Sequence, residues 1–305
     1  MKNQNFGVEV EMINISRDKA AKVAAELFGT NTTRYAGTCY DTYEAIDQKG
    51  RTWKFMNDSS LAGPTNLHCE LVTPILKYED IETLQELVRR LRKAGAKSNA
   101  DLGCGIHIHV DAAGHTPQTI RNLVNIMAGH ESLLTKALKI DQRRIGSFCR
   151  PVNAQFVKRI NAQKPQTMSA LADVWYGTNG GDGYRGDHYN PSRYHMLNLH
   201  ATFTKGTIEF RLFQFDKAGT TLDGKVYRGG IHAGQLKSYI QLCLALSAKA
   251  KAVKTASPKE PQHENEKYAM RTWLLRLGFI GDEFKTARDI LTRNLTGNAA
   301  WRRVA

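Results

Sequence analysis

The pattern of apolar and polar positions changes period several times along the chain. Over residues 6–13, Val8, Val10 and Met12 alternate with Glu9 and Glu11. A period of two is that of a half-buried strand. A helix is predicted next, over about 18–28, with Ser16 placed to cap its first turn and Gly29 placed to end it. Residues 42–46 and 52–57 read as strands on either side of a turn-forming run, and 68–72 as a third, closed by Pro74. Ile81, Leu84, Val88 and Leu91 recur at helical spacing and predict an amphipathic helix ending near Gly95. A strand follows over 105–110. Thr116 and Pro117 then open one long helix, with Ile120, Leu123, Val124, Met127, Leu134 and Leu138 on its apolar side. Residues 141–192, rich in Gly, Asp, Tyr and Arg, carry no sustained period and read as irregular, with 177–190 a loop. Two strands are expected over 194–203 and 207–213, around a turn at Lys205-Gly206, and a helix over 231–250. Pro258 and Pro261 mark 255–263 as a linker to a basic helical tail that carries Trp273, Leu274 and Leu277. This order of elements predicts an α+β fold, with a largely antiparallel sheet and helices on one face. A main domain over 1–254 would be followed by an accessory segment over 255–305.

Three of the predicted strands share an unusual alternation. Gly7-Val-Glu9-Val-Glu11 sets two carboxylates on one face, Gly105-Ile-His107-Ile-His109 two imidazoles, and Thr207-Ile-Glu209-Phe-Arg211 a carboxylate and a guanidinium. Side chains at i and i+2 of a strand point the same way. If the strands share one sheet, their apolar faces meet the core and these ionisable groups share the other face. Clustered carboxylates repel one another, and hard divalent cations relieve that repulsion. Imidazole completes such sites for magnesium or manganese. Lys54 and Asp58, in Trp53-Lys-Phe-Met-Asn-Asp58, and Glu70, in Cys69-Glu-Leu-Val-Thr-Pro74, lie on strands that a short turn can bring beside this cluster.

In this order the blocks FGVEVEM, WKFMNDSSL, CELVTPIL, GIHIHVD and RYHMLNLHATFTKGTIEFRLF resemble the amidoligase family of the glutamine synthetase-like carboxylate–amine ligases, over about residues 6–213. The resemblance implies an antiparallel catalytic sheet that binds ATP and two or three divalent metals, Mg2+ or Mn2+. It implies metal ligation by Glu9, Glu11, Glu70, His107 and Glu209, with Asp58 as a neighbour. It implies contacts to ATP phosphate from His109 and Lys54. It assigns Arg211 and Arg193 to the phosphate or acyl-phosphate intermediate, with Glu209 beside the transferred group. The substrates would then be ATP, a carboxylate and an amine, joined as an amide or isopeptide. The chain departs from the family pattern at Gln214-Phe215, where a small turn is usual, and at Asn57-Asp58-Ser59-Ser60, where Asp-Gly-Ser is usual.

Composition narrows the remaining possibilities. The 305 residues are 41% hydrophobic, enough for a substantial core, with no run of roughly 20 apolar residues to span a bilayer. The opening MKNQNFGVEVEM has no long apolar stretch of the secretory kind, so a cytoplasmic protein without membrane partners is expected. Five scattered cysteines (Cys39, Cys69, Cys104, Cys149 and Cys243) form no CxxC pair and read as reduced thiols rather than nucleophiles. The formal charge of +14 would attract polyanions, and it alone raises nucleic-acid binding as an alternative. A second alternative is a two-metal hydrolase, in which clustered Glu and His activate water.

Overall fold

The computed structural model describes residues 1–35, 40–222, 224–262 and 264–300. Its centre is an eight-stranded sheet with every neighbouring pair antiparallel. The strands are β1 (Phe6–Met12), β2 (Thr32–Tyr35), β3 (Thr42–Ile46), β4 (Thr52–Met56), β5 (Cys69–Val72), β6 (Ile106–Asp111), β7 (Leu197–Asn198) and β8 (Thr207–Phe213). Their spatial order is β2-β3-β4-β5-β1-β6-β8-β7. The most strongly patterned strand, β1, therefore lies in the middle, between β5 and β6. A two-stranded ribbon of β9 (Gly219–Thr220) and β10 (Val226–Tyr227) lies outside this sheet.

The apolar parity of the strands forms the floor of the core. Val8, Val10, Met12, Ile106, Ile108, Val110, Ile208 and Phe210 are fully buried, in one cluster with residues of the helices. Helix α1 (Arg17–Phe28) packs on β3 and β4. Ser16 caps it by accepting from Lys19 N, and Gly29 ends it at a φ of 67°, where a side chain would be strained. Helix α2 (Ile81–Lys93) presents the buried Leu84, Val88 and Leu91, as its spacing predicted.

The expected long helix over 117–138 is two helices, α3 (Pro117–Ala128) and α4 (Glu131–Leu138). The break falls at Gly129-His130. A Cβ on Gly129 would lie 3.3 Å from the carbonyl of Lys259 and 3.4 Å from that of Ser257, so the chain following the core helix crosses close over this point. Residues 141–192 also differ from expectation. They hold α5 (Gln142–Ser147), α6 (Ala154–Gln163) and α7 (Met168–Asn179). Asp141, Asn153 and Thr167 cap these helices, and Phe156, Ile160, Leu171 and Trp175 bury their apolar sides. The strand expected over 194–203 shrinks to the two-residue β7, and α8 (His200–Thr204) takes up its C-terminal end. The buried Asn198 holds the turn into α8 by accepting from His200 N.

Helix α9 (Ala233–Ala252) runs through the core against α2, α3 and β6. The proline-containing segment after it is tied along α3, where Gln118 donates to Lys254 O, Asn122 to Val253 O and Asn125 to Ala256 O. The tail is helical, with α10 (Glu266–Arg276) and α11 (Lys285–Thr292). Its Met270, Leu274, Phe279, Phe284 and Leu291 are buried in the same cluster as the sheet. Cys69, Cys104, Cys149 and Cys243 are free and buried, while Cys39 lies outside the described residues. No described helix is long and apolar enough to cross a membrane.

Candidate active site

The polar parity of the central strands builds the site. Register places Glu9 opposite His107, Glu11 opposite Glu70, and His109 opposite Glu209. A bulge between Ile106 and Ile108 shifts the β6–β8 register by one residue without separating these groups. The face opens into a cleft of about 670 Å³ lined by Glu9, Glu11, Lys54, Asp58, Glu70, His107, Arg193 and Arg211. Glu209 faces an adjoining cavity of about 200 Å³, with Arg193, His188 and Lys205 on its wall.

The side chains interlock. His107 Nδ1 lies 3.0 Å from Glu9 Oε2, and its Nε2 3.6 Å from Glu11 Oε1. Glu11 also accepts from Gly105 N at 2.5 Å. Glu209 receives Arg211 Nη1 on one oxygen at 2.5 Å and Asn198 Nδ2 on the other at 2.6 Å. His109 Nδ1 is engaged by the Thr207 hydroxyl at 2.9 Å, which fixes the ring. That leaves the buried His109 Nε2 without a hydrogen bond, although Glu9 Oε1 is 3.2 Å away and Glu209 Oε1 4.0 Å away. An imidazole anchored through one nitrogen with the other bare and facing carboxylates is the usual arrangement of a metal-binding histidine.

Charge follows the geometry. Burial works against ionised Glu9, but the attraction of His109 and the bond from His107 outweigh it and hold its carboxyl well below the usual range. Burial likewise opposes ionised Glu209, and Arg211 and His109 bring it down to about 2. Glu70 goes the other way. Burial, then the negative charges of Glu9, Glu11 and Asp58, push its carboxyl well above the usual range. A divalent cation among these carboxylates would relieve the repulsion.

The donor set fits divalent cations. Ligand atoms of Glu9, His109 and Glu209 lie within 4.8 Å of one another, as do those of Glu9, Glu70 and His107, and those of Glu11, Asp58 and Glu70. The three sets overlap at Glu9 and Glu70, so they form a row across β8, β6, β1, β5 and the end of β4. Carboxylate oxygens with one imidazole suit magnesium or manganese.

Of the residues singled out from sequence, Glu9, Glu11, Glu70, His107, His109, Glu209 and Arg211 meet in this network. Asp58 joins its edge beside Glu11 and Glu70. Lys54 lines the cleft farther out, half-exposed and 3.7 Å from Glu44. Arg193 stands at the junction of the two cavities and donates to His188 O. From the loop over 177–190, Tyr189 and His188 reach the cleft, whereas Arg185 is paired with Asp173 and Asp182. Asn190 pins that loop by donating to the carbonyls of Gly181 and Tyr184. Gln214, one of the two departures from the family pattern, is structural: it donates to Lys139 O and accepts from Asp141 N. Sequence reasoning missed Arg144, Asn198 and Lys205. Arg144 sat in a stretch read as irregular, and Asn198 in one read as strand.

A family model described as "putative amidoligase enzyme" matches residues 2–247. The chain belongs to this amidoligase family. The match covers all eight strands of the sheet and ends within α9, so every residue of the site lies inside it. The comparison with curated proteins gave no match. Membership supports a ligase-type enzyme, and the carboxylate- and imidazole-lined face is the part of the fold equipped for chemistry.

Proposed function

We propose that the protein is an ATP-dependent carboxylate–amine ligase that uses magnesium or manganese and works through an acyl phosphate. What supports the reading above all is the overlap of the three ligand sets beside Arg211, within a chain of the amidoligase family. Glu9, Glu11, Glu70, His107 and Glu209, with Asp58 at the edge, would hold the cations; when bound, these would neutralise the carboxylates and the phosphates of ATP.

A free carboxylate is a poor acyl donor because oxide is a poor leaving group. In the proposed first step a carboxylate oxygen of the substrate attacks the γ-phosphorus of ATP, the bond to the bridging oxygen breaks, and ADP leaves. In the second step the amine nitrogen attacks the acyl carbon, the carbon–oxygen bond to the phosphoryl group breaks, and phosphate leaves as the amine gives up a proton. Arg211, held rigidly by Glu209, would place a guanidinium against the transferring group. Arg193, at the junction of the two cavities, would hold the acyl phosphate, and Lys54 would contact ATP phosphate; His109, which the resemblance assigns to phosphate, lies in a ligand set with Glu9 and Glu209 and would share a cation there.

The test is a screen of carboxylates and amines for ADP release with ATP and magnesium, with products followed by mass. ADP formed only when both partners are present, with a product lighter by one water than their sum, is the expected result. Amide cleavage without nucleotide would replace this reading with the hydrolase. Salt-sensitive nucleic-acid binding with no nucleotide turnover would replace it with the charge-based alternative.

A further inference from the structure

Arg144 is a buried cation with no counter-ion among the described residues. It projects from α5, is 3% exposed, and lines the large cleft together with Glu11 and Arg211. No carboxylate among the described residues lies within 4.0 Å of it, whereas Arg211 is paired with Glu209 at 2.5 Å. The groups it touches are neutral. Nη2 donates to the carbonyl of Arg211 at 3.0 Å, and the thiol of Cys149 is adjacent. Its Nε is buried with no hydrogen-bond partner.

The fold makes room for this side chain. A Cβ on Gly105 would fall 2.3 Å from Arg144 Nη1 and 2.6 Å from Cζ. Gly105, at the head of the Gly-Ile-His-Ile-His strand, leaves open the space that the guanidinium occupies, and a side chain there would displace it. A buried, unpaired charge carries a large desolvation cost, and removing such a charge normally stabilises a protein. A guanidinium packed into place at that cost, on the wall of a cleft, has the character of a ligand-binding group.

We propose that Arg144 is an anion-binding residue of this cleft, taking an oxyanion of the substrates, a phosphoryl or a carboxylate oxygen. Which oxyanion it takes rests on the ligase reading; that it takes one does not. The competing role is structural, in which Arg144 only supports β8 through the carbonyl of Arg211.

Arg144→Gln separates the two, because glutamine keeps a donor for that carbonyl and removes the charge. Thermal melting is measured for the full chain, with calorimetry against two probes, tripolyphosphate and succinate, each with magnesium. We expect the variant to melt at or above the wild-type temperature. We expect it to bind one or both probes roughly 10- to 100-fold more weakly, the scale of one or two charge-assisted hydrogen bonds. Loss confined to tripolyphosphate assigns the phosphoryl source, and loss confined to succinate the carboxylate. Equal affinities in both proteins, or a wild-type chain that binds neither probe, would overturn the proposal. Arg144→Met, which keeps the bulk without a donor, covers the case in which Arg144→Gln fails to fold; a lower melting temperature with unchanged anion affinity again overturns it. Anion binding that depends on Arg144 in a protein that releases no ADP with any substrate pair would sink the ligase reading and leave the anion site standing.

Discussion

Arg211→Lys tests the catalytic assignment with the least damage to the fold. Arg211 is 5% exposed, donates through Nη1 to Glu209 at 2.5 Å, lies with Nε 3.4 Å from Phe148 O, and sits 5.9 Å from the ring centre of Tyr194. Lysine retains the charge and can retain the Glu209 pair. It cannot make the second, angled contact or stack as a planar group. The long bond to Phe148 O and the ring contact are together worth about 1–2 kcal/mol. That is a fraction of the roughly 5–15 kcal/mol by which domains are stable, so the variant remains folded and melts only several degrees lower. The effect on chemistry is expected to be larger. Loss of one preorganised donor to developing charge costs about 100-fold in rate, which is about 2.7 kcal/mol of barrier. The assay is ADP release with a productive substrate pair, normalised to folded protein, alongside ATP affinity and thermal melting. ATP affinity should change little, since the cations and the remaining cleft residues are untouched. Unchanged turnover per folded molecule would refute the reasoning; so would a turnover loss that vanishes on that normalisation, which would make Arg211 a partner of Glu209 and nothing more.

Three further outcomes are expected. Calorimetry of ATP with magnesium, and again with excess chelator, should show at least about tenfold weaker binding without the cation, because the acidic face then meets the triphosphate unscreened; equal affinity would remove the metals from the phosphate site. Glu131, whose carboxylate accepts from Val152 N, is pushed by burial from 4.5 up to about 7. A carboxyl raised in the folded state contributes stability that is complete below about pH 4.5 and lost as pH rises through 7, so Glu131→Gln should gain on the wild type between pH 5 and pH 8 by on the order of 3 kcal/mol. Denaturant titrations of both proteins at pH 5 and 8 check this, and a difference that does not grow with pH contradicts it. Removing residues 255–305 strips away the buried Met270, Leu274, Phe279, Phe284 and Leu291. At about 1.5–3 kcal/mol each this rivals the whole stability of a domain, so the truncated chain should lose its cooperative thermal transition, whereas a sharp transition would make the tail an accessory.

The strands that build the site were legible because their signal is local and doubled. In β1, β6 and β8 a period of two coincides with ligand-type residues at every second position, and parity alone decides that Glu9 with Glu11, His107 with His109, and Glu209 with Arg211 share a face. Capping made α1 equally plain, since Ser16 and Gly29 bound it at both ends. The region over 141–192 was opaque because α5 has only six residues and because the caps Asp141, Asn153 and Thr167 are residue types as common in loops as at helix starts. The break at Gly129 left no mark in the local pattern, and the chain that crosses there, at Ser257 and Lys259, lies about 130 residues away.

The sequence by itself determined the strands β1, β3, β4, β5, β6 and β8, the polar face of those that build the site, and which side chains could ligate a cation; it did not show β2 or the shortness of β7. Only the tertiary structure decided that β1 sits between β5 and β6, so that Glu9 and Glu70 are each shared by two ligand sets. It alone decided that Arg144 lies over Gly105 and that the tail completes the core. Alternation is written in neighbouring residues and survives any arrangement of strands. Strand order, and the partner a buried charge meets or lacks, depend on contacts between residues far apart in the chain, and no local period encodes those.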